Sequence, residues 1–207
     1  DYNDGFVFPM AIEFYTTVGI APTNDRKLYV RSENMDELIA VDLDDNKERR
    51  GHWSDYVAGM ASVIEQRGYR IPGASLLIES NVPVGAGLSS SAALEMSTGL
   101  ALLSTVGVEL DSQSLAVLGQ KAENEFVGMN CGIMDQFISV HGKEDHALFL
   151  DCRSLDYELV PLKSEQACIV ICNTMVKHEL GSSEYNKRRA ECERGVEIMS
   201  EDYLGIK

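Results

Sequence analysis

Residues 83–93 read Pro-Val-Gly-Ala-Gly-Leu-Ser-Ser-Ser-Ala-Ala, and this stretch decides the fold predicted around it. It follows an apolar run at 76–78 that predicts a strand, and it opens a long helical segment. Gly85 and Gly87 allow a tight turn and a close approach by a ligand. The serines at 89–91 add hydroxyl donors where a helix N-terminus exposes unpaired N–H groups and the positive end of its dipole. We therefore predict an anion site here, most naturally for phosphate.

Three other motifs are alternatives for the same stretch. A glycine turn followed by a serine N-cap would explain one glycine and one serine, but two glycines and three serines favour phosphate binding. A P-loop needs Gly-Lys-Ser/Thr, and no lysine follows Gly87. A hydrolase elbow needs Gly-x-Ser-x-Gly, whereas Ser91 stands two positions after Ser89. Neither of these catalytic motifs fits.

Composition limits the class of protein. The 207 residues, 44% of them hydrophobic, suffice for one core and part of a second domain. A net charge of −15 argues against nucleic-acid binding through a basic face, so local N–H groups and a metal ion must hold an anionic ligand. The stretch 88–108 has Glu95 as its one charged residue, and we expect a helix buried in a protein core rather than a membrane span.

The cysteines indicate the redox environment. There are five, without a Cys-x-x-Cys pair, which is typical of reduced thiols in a cytoplasmic protein. Cys168 and Cys172 share one face of a strand predicted at 167–172, and we expect both in the core. No targeting segment is recognisable in the sequence, and we expect a cytoplasmic protein with no membrane partner.

Hydrophobic periodicity predicts a mixed chain. The β-rich runs near the start are Phe6–Ala11, Phe14–Ile20, Leu28–Arg31 and Leu38–Leu43. Predicted next are a helix at 53–67, a strand at 75–80, helices at 89–106 and about 114–127, and strands near 146–151 and 156–160. A linker at 161–166 precedes another unit, with the strand at 167–172 and a charged helix from about 184 to 199. That unit is too small to close a core of its own.

Three polar residues lie in apolar surroundings: Glu123, Asp135 and Tyr185. Glu123 follows the helical stripe Leu115, Leu118 and Ala122, where a solvated helix charge is the alternative. A buried carboxylate at Asp135 needs a partner, a metal or a ligand, and a helix cap is the alternative there. Tyr185 could equally be an ordinary half-buried tyrosine. The four histidines lack metal-ligand spacing, and we predict no zinc site.

A phosphate loop, a serine hydroxyl and two carboxylates together fit Mg²⁺-assisted phosphoryl transfer. Mg²⁺ prefers a few hard oxygen ligands together with substrate phosphates and water. An aspartate can take the proton of the acceptor hydroxyl, and its ordinary pKa of roughly 3.9 leaves it ionised at neutral pH.

At this point the residues resemble a known family. The stretch 83–93 is similar to the ATP-phosphate motif of the GHMP small-molecule kinases, and within them the pattern narrows to the galactokinase family. Residues 1–5, Asp-Tyr-Asn-Asp-Gly, resemble the end of its sugar-binding signature. The stretches 131–137, 151–155 and 183–193 resemble three further blocks. The resemblance spans the whole chain in five ordered blocks.

The resemblance implies an α+β fold. Residues 1–165 would form a GHMP kinase N-terminal domain of the ribosomal protein S5 domain 2 type, with a left-handed β-α-β unit. Residues 166–207 would begin a second α+β domain, with the ATP and sugar sites between the two. The implied reaction is Mg-ATP-dependent phosphorylation of the C1 hydroxyl of D-galactose to galactose 1-phosphate, the first committed step of galactose catabolism.

The resemblance also implies roles for individual residues. Those that would wrap the ATP phosphates are Gly85, Ala86, Gly87, Leu88, Ser89, Ser90 and Ser91. Trp53 would lie near the adenine, while Ser91 and Glu123 would coordinate Mg²⁺. Asp135 would be the base that faces the C1 hydroxyl. The residues that would bind the sugar are Asp1, Gly132, Asp135 and Tyr185.

The sequence departs from the family pattern at both ends. The Arg and the Glu-His pair that open the sugar-binding signature, and the third, glycine-rich motif, are not found in it. We therefore expect a truncated chain that is barely active by itself. We also expect the parent enzyme to be a monomer.

Three other functions stay open. They are a non-catalytic galactose and ATP sensor, a kinase for a related sugar such as N-acetylgalactosamine, and a serine hydrolase using Ser89 or Ser90. Ser91, Ala92, Glu123 and Asp135 are all present, which favours catalysis. The Cys-Gly-Ile-Met run at 131–134 favours galactose as the sugar.

Overall fold

The computed structural model describes residues 1, 3–45, 49–162, 169–173 and 182–202, with side chains given for 186–200 in the last segment. The strands are β1 (Phe6–Val7), β2 (Thr16–Pro22), β3 (Lys27–Ser32), β4 (Glu37–Asp42), β5 (Ala74–Ser80), β6 (His146–Asp151) and β7 (Tyr157–Pro161). The helices are α1 (Ser54–Gln66), α2 (Ser90–Ser104), α3 (Ser112–Lys121), a π-helical turn (Ala122–Val127), α4 (Met134–His141) and α5 (Ser182–Asp202).

The larger sheet has the strand order β2-β5-β3-β4. Strands β3 and β5 run parallel, with β4 and α1 between them along the chain, and the other two pairings are antiparallel. Side chains on β3 alternate between the core and solvent, since Leu28 and Val30 are fully buried while Lys27 and Tyr29 are exposed. The hand of the β3-α1-β5 unit stays a prediction.

Helices α1 and α2 pack on one face of this sheet and form the main core. Met60 and Ile64 of α1 meet Leu102 of α2, and all three are fully buried. Because α2 is anchored along its length, its first turn and the preceding 83–89 loop are held at one end of the core.

The smaller sheet has the order β1-β6-β7 and is antiparallel throughout. Its inner face forms a second core cluster with α4, in which Phe137, Leu148 and Leu150 are fully buried. Within the described part of the chain, no helix combines the length and the apolar character needed to cross a membrane.

The predicted α+β fold is confirmed, together with most of its elements. Two predictions were incomplete: the helix expected at about 114–127 is α3 followed by the π-helical turn, and β1 spans two residues rather than six. Helix α4 was not predicted at all. The irregular loop before it and its length of eight residues leave little periodicity to detect.

The strand predicted at 167–172 is wrong where the structure describes it. Residues 169–173 are irregular and exposed, and the expectation that Cys172 lies in the core fails with them. An apolar run becomes a strand only when a neighbouring strand completes its hydrogen bonds, and no described strand pairs with this segment. Cys168 lies outside the described residues.

Replacing Phe137 with alanine should lower the free energy of unfolding by about 3–5 kcal/mol, because this buried ring leaves a cavity in the second core cluster. Urea denaturation followed by circular dichroism measures the change. Phe149→Ala on the outer face of β6, where the ring is 44% exposed and stacks on Phe6, is the control and should cost clearly less than the loss of Phe137. Equal losses in the two variants would contradict this account of the core.

Candidate functional site

The 83–89 loop enters α2 through left-handed backbone. Gly85 and Gly87 have φ angles of 73° and 72°, and Ser89, the residue before α2, has φ 55° and ψ 39°. A serine held in this region stores about 1 kcal/mol or more of strain, of the kind found at ligand-binding sites. The first N–H groups of α2 have no partner within the helix, so they are available to an anion.

The Ser89 hydroxyl does not cap its own helix. Ser89 therefore occupies the N-cap position of α2 without the side-chain hydrogen bond of a cap. Its hydroxyl instead hydrogen-bonds the carboxyl group of Asp135, which brings the start of the loop helix against α4.

Asp135 is the second residue of α4, where Ile133 occupies the N-cap position. It is therefore not the helix cap that was considered as an alternative. Burial raises the pKa of Asp135, and the hydrogen bond from Ser89 partly opposes that rise. The carboxyl group is thus half-buried, with one hydroxyl donor beside it and a raised affinity for a proton.

Glu123 lies in the π-helical turn and is 3% exposed, which rules out a solvated helix charge. Its Oε2 accepts hydrogen bonds from Nε2 of Gln136 at 2.7 Å and from Sγ of Cys131 at 3.4 Å. Burial raises the pKa of Glu123, while hydrogen bonds from Cys131, Gln136 and Ser91 lower it. These donors partly oppose the rise in the pKa of Glu123.

A second buried carboxyl group near Glu123 is that of Glu95 on α2, which was not among the predicted site residues. It is fully buried, and its Oε2 accepts from Nε2 of Gln136 at 3.0 Å. Desolvation first, and the charge of Glu123 second, raise the pKa of Glu95 well above its ordinary value. Burial and the neighbouring carboxyl group therefore both favour the protonated form of Glu95. The signal in the sequence was its position as the one charged residue of the stretch 88–108.

Asp1 meets the other side of α4. Its Oδ1 accepts a hydrogen bond from the backbone N–H of Met134 at 3.1 Å, at the positive end of the helix. A Cβ at position 132 would overlap this carboxylate, so the contact requires glycine there. Asp1 and Gly132 therefore lie together at one corner, beside the start of the helix that carries Asp135.

Two predicted site residues are not joined to this corner by the described contacts. Trp53 lies at the start of α1, where its Nε1 donates to Oε2 of Glu37 at 2.8 Å and its ring meets His52. The side chain of Tyr185 lies outside the described residues. The next residue of α5, Asn186, donates from Nδ2 to the carbonyl of Gly128 and accepts through Oδ1 from the N–H of Asn130, so this helix is attached to the loop that leads to the corner.

The residues present fit a magnesium ion. The pair of Ser91 and Glu123 offers a hydroxyl and a carboxyl group, whose oxygens are hard ligands. Among the described residues, no group of three or more His, Cys, Asp or Glu side chains could hold a metal alone. One hydroxyl and one carboxyl group suit Mg²⁺, which binds through one or two carboxylates and completes its shell with phosphates and water.

Comparison with known proteins places this geometry in a family. Residues 55–143 match the family described as GHMP kinases N terminal domain, and residues 1–22 match the galactokinase galactose-binding signature. The chain therefore carries a GHMP kinase N-terminal domain over residues 55–143. A mevalonate kinase from Methanococcus jannaschii shares the fold, with a TM-score of 0.65 at 19% identity over 79% of this chain and 51% of its own.

Within that family, the chain is similar to galactokinases. The galactokinase of Thermotoga neapolitana is 46% identical over 199 residues, which is 96% of this chain and 55% of the relative. The structure of Lactococcus lactis galactokinase complexed with galactose has a TM-score of 0.86 at 36% identity, covering 98% of this chain and 53% of its own. The chain thus spans about half the length of the relatives it matches.

Glu95→Gln should flatten the pH dependence of stability. The unfolded chain ionises Glu95 above its ordinary value of 4.5, whereas the folded chain keeps it protonated to higher pH. Stability is therefore lost as the pH rises above 4.5, by up to about 1.4 kcal/mol per pH unit, and a neutral glutamine removes that loss. Urea denaturation at pH 5 and pH 7 should show the variant gaining on the native chain at the higher pH.

Glu158→Gln, the same change at an exposed position of β7, is the matched control. A difference between Glu95→Gln and the native chain that stays constant between the two pH values would contradict the raised pKa.

Proposed function

We propose that this chain forms the phosphate-binding and proton-accepting half of a galactokinase, which transfers a phosphoryl group from Mg-ATP to the C1 hydroxyl of D-galactose. The observation that carries the proposal is the hydrogen bond between Ser89 and Asp135. It puts a half-buried carboxyl group beside the N-terminus of the loop helix, so an acceptor hydroxyl and a phosphate would meet there. The galactokinase relatives support the choice of sugar.

In this proposal Asp135 accepts the proton of the C1 hydroxyl as the oxygen attacks phosphorus. Its raised pKa makes it a stronger base than an exposed aspartate. The loop from Gly85 to Ser91 and the N-terminus of α2 hold the ATP phosphates through backbone N–H groups and hydroxyls. Ser91 and Glu123 would hold Mg²⁺, which offsets phosphate charge when bound.

The remaining assignments complete the proposal. Asp1, Gly132, Asp135 and Tyr185 would bind the sugar, and Trp53 would lie near the adenine. We assign residues 1–165 to the nucleotide- and sugar-binding N-terminal domain and 166–207 to the start of the second. The free thiols of Cys131, Cys152, Cys172 and Cys192 support action in the cytoplasm, and we propose a monomer.

The proposal predicts that the full-length protein carrying this sequence releases ADP from Mg-ATP when D-galactose is added. N-acetylgalactosamine and a sugar-free blank should give little. Asp135→Asn should lower turnover by roughly 10²–10⁴-fold while ATP binding persists, because the amide cannot accept the proton. The exposed Asp156→Asn is the control.

The alternative results of this experiment each have a specific interpretation. A turnover of Asp135→Asn close to that of the native protein would remove the base assignment. Binding of galactose and ATP without ADP release would favour a non-catalytic sensor, and preference for N-acetylgalactosamine would change the substrate.

Replacing Glu123 with alanine should raise the Mg²⁺ concentration needed for half-maximal activity, because a carboxylate ligand is lost. Glu125→Ala, an exposed glutamate of the same π-helical turn that pairs with Lys121, is the matched control. Initial rates measured across a Mg²⁺ series at saturating ATP give the comparison. An unchanged Mg²⁺ titration in Glu123→Ala would exclude it as a ligand.

A further inference from the structure

The side chain of Gln136 bridges two acidic side chains from different helical segments. Its Nε2 lies 2.7 Å from Oε2 of Glu123 and 3.0 Å from Oε2 of Glu95. Gln136 and Glu95 are fully buried and Glu123 nearly so. An amide nitrogen carries two hydrogens at a fixed angle, so one goes to each carboxyl group and both groups are fixed relative to α4.

The surroundings allow Gln136 one orientation. Its Oε1 is buried and has no hydrogen-bond partner among the described residues. Turning the amide over would place that oxygen against the oxygens of two carboxyl groups and lose both bonds. Helix α3 packs closely against this side chain, since a Cβ at residue 119, which is glycine, would lie 3.1 Å from Cγ of Gln136.

The hydrogen bond from Gln136 engages one particular oxygen of the Glu123 carboxyl group. The bonds from Gln136 and Cys131 both end on Oε2, which leaves Oε1 as the oxygen that can face a cation. Gln136 also follows Asp135 directly on α4. The same helix therefore carries the proposed base and the group that orients the proposed metal ligand.

We propose that Gln136 is a positioning residue that holds the Glu123 carboxylate in the orientation that binds Mg²⁺. The inference rests on the proposed function, in which Glu123 is a metal ligand. Gln136 itself touches neither the metal nor the substrates. Its loss should therefore weaken metal binding and leave sugar binding intact.

The test uses Gln136→Met, which keeps the length of the side chain and removes its N–H donors. Mn²⁺ is the probe, and its binding to the full-length protein is followed by electron paramagnetic resonance with a non-hydrolysable ATP analogue and no sugar. The Mn²⁺ dissociation constant should rise by roughly 10–100-fold, as expected for a group that orients a metal ligand. Ser139→Ala, on the exposed side of the same helix, is the control and should match the native protein.

A second readout separates positioning from a purely structural role. In the ADP assay, Gln136→Met should lose activity at low Mg²⁺, recover most of it at saturating Mg²⁺, and keep the native KM for galactose. A structural defect in α4 would instead displace Asp135 and lower kcat at every Mg²⁺ concentration, and that result would overturn the proposal.

Gln136→Asn is the second variant, because it keeps the amide in the core but is one methylene too short to reach both carboxyl groups. Folded variants that bind Mn²⁺ as tightly as the native protein would overturn the proposal, and so would failure of both variants to fold. A native protein that binds Mn²⁺ but releases no galactose-dependent ADP would remove the proposed function alone, since the Mn²⁺ titration reports on Gln136 without turnover.

Discussion

The cost of removing carboxylates from water is the constraint on which the centre of this structure depends. Glu95, Glu123 and Asp135 all lie in or near the core, and none of them is paired with a lysine or arginine in the described contacts. Neutral donors take that place, namely an amide, a thiol and serine hydroxyls. Because each donor has a direction, the groups that make burial tolerable also fix the geometry of the site.

This constraint explains why three segments distant in sequence converge. The start of α2 supplies serine hydroxyls, the π-helical turn supplies Glu123, and the start of α4 supplies Asp135 and Gln136. A π-helical turn is a rare departure from regular helix and is common at functional sites. Here it interrupts a helix at the point where a carboxylate turns into the core.

Much of the fold could be predicted from the sequence, because burial imposes simple periods. The β-rich run at 28–31 predicted β3, the helical periodicity at 53–67 predicted α1, and the glycines and serines of 83–93 predicted the loop. Glu95 and Gln136 were missed for a physical reason. Polar residues on an apolar stripe become recognisable as partners only when the helices that carry them are placed together.

Other errors have the same origin. The run at 169–172 has the composition of a strand, but composition cannot say whether a neighbouring strand exists. Serine is a residue type that commonly caps helices, yet Ser89 has a left-handed backbone and its hydroxyl makes no cap hydrogen bond. In each case a local preference was overruled by a contact with a distant part of the chain.

The contact between Asp1 and Met134 joins residues 133 positions apart, and strand β1 reaches β6 across a similar span. Closing so long a segment is entropically costly, so contacts of this kind form late in folding, after the hairpins and neighbouring helices. The 83–89 loop connects β5 and α2, which are adjacent in sequence, so it can form earlier. A folding chain would therefore acquire its anion-binding loop before the Asp1 corner closes, so the two halves of the site mature in a fixed temporal order.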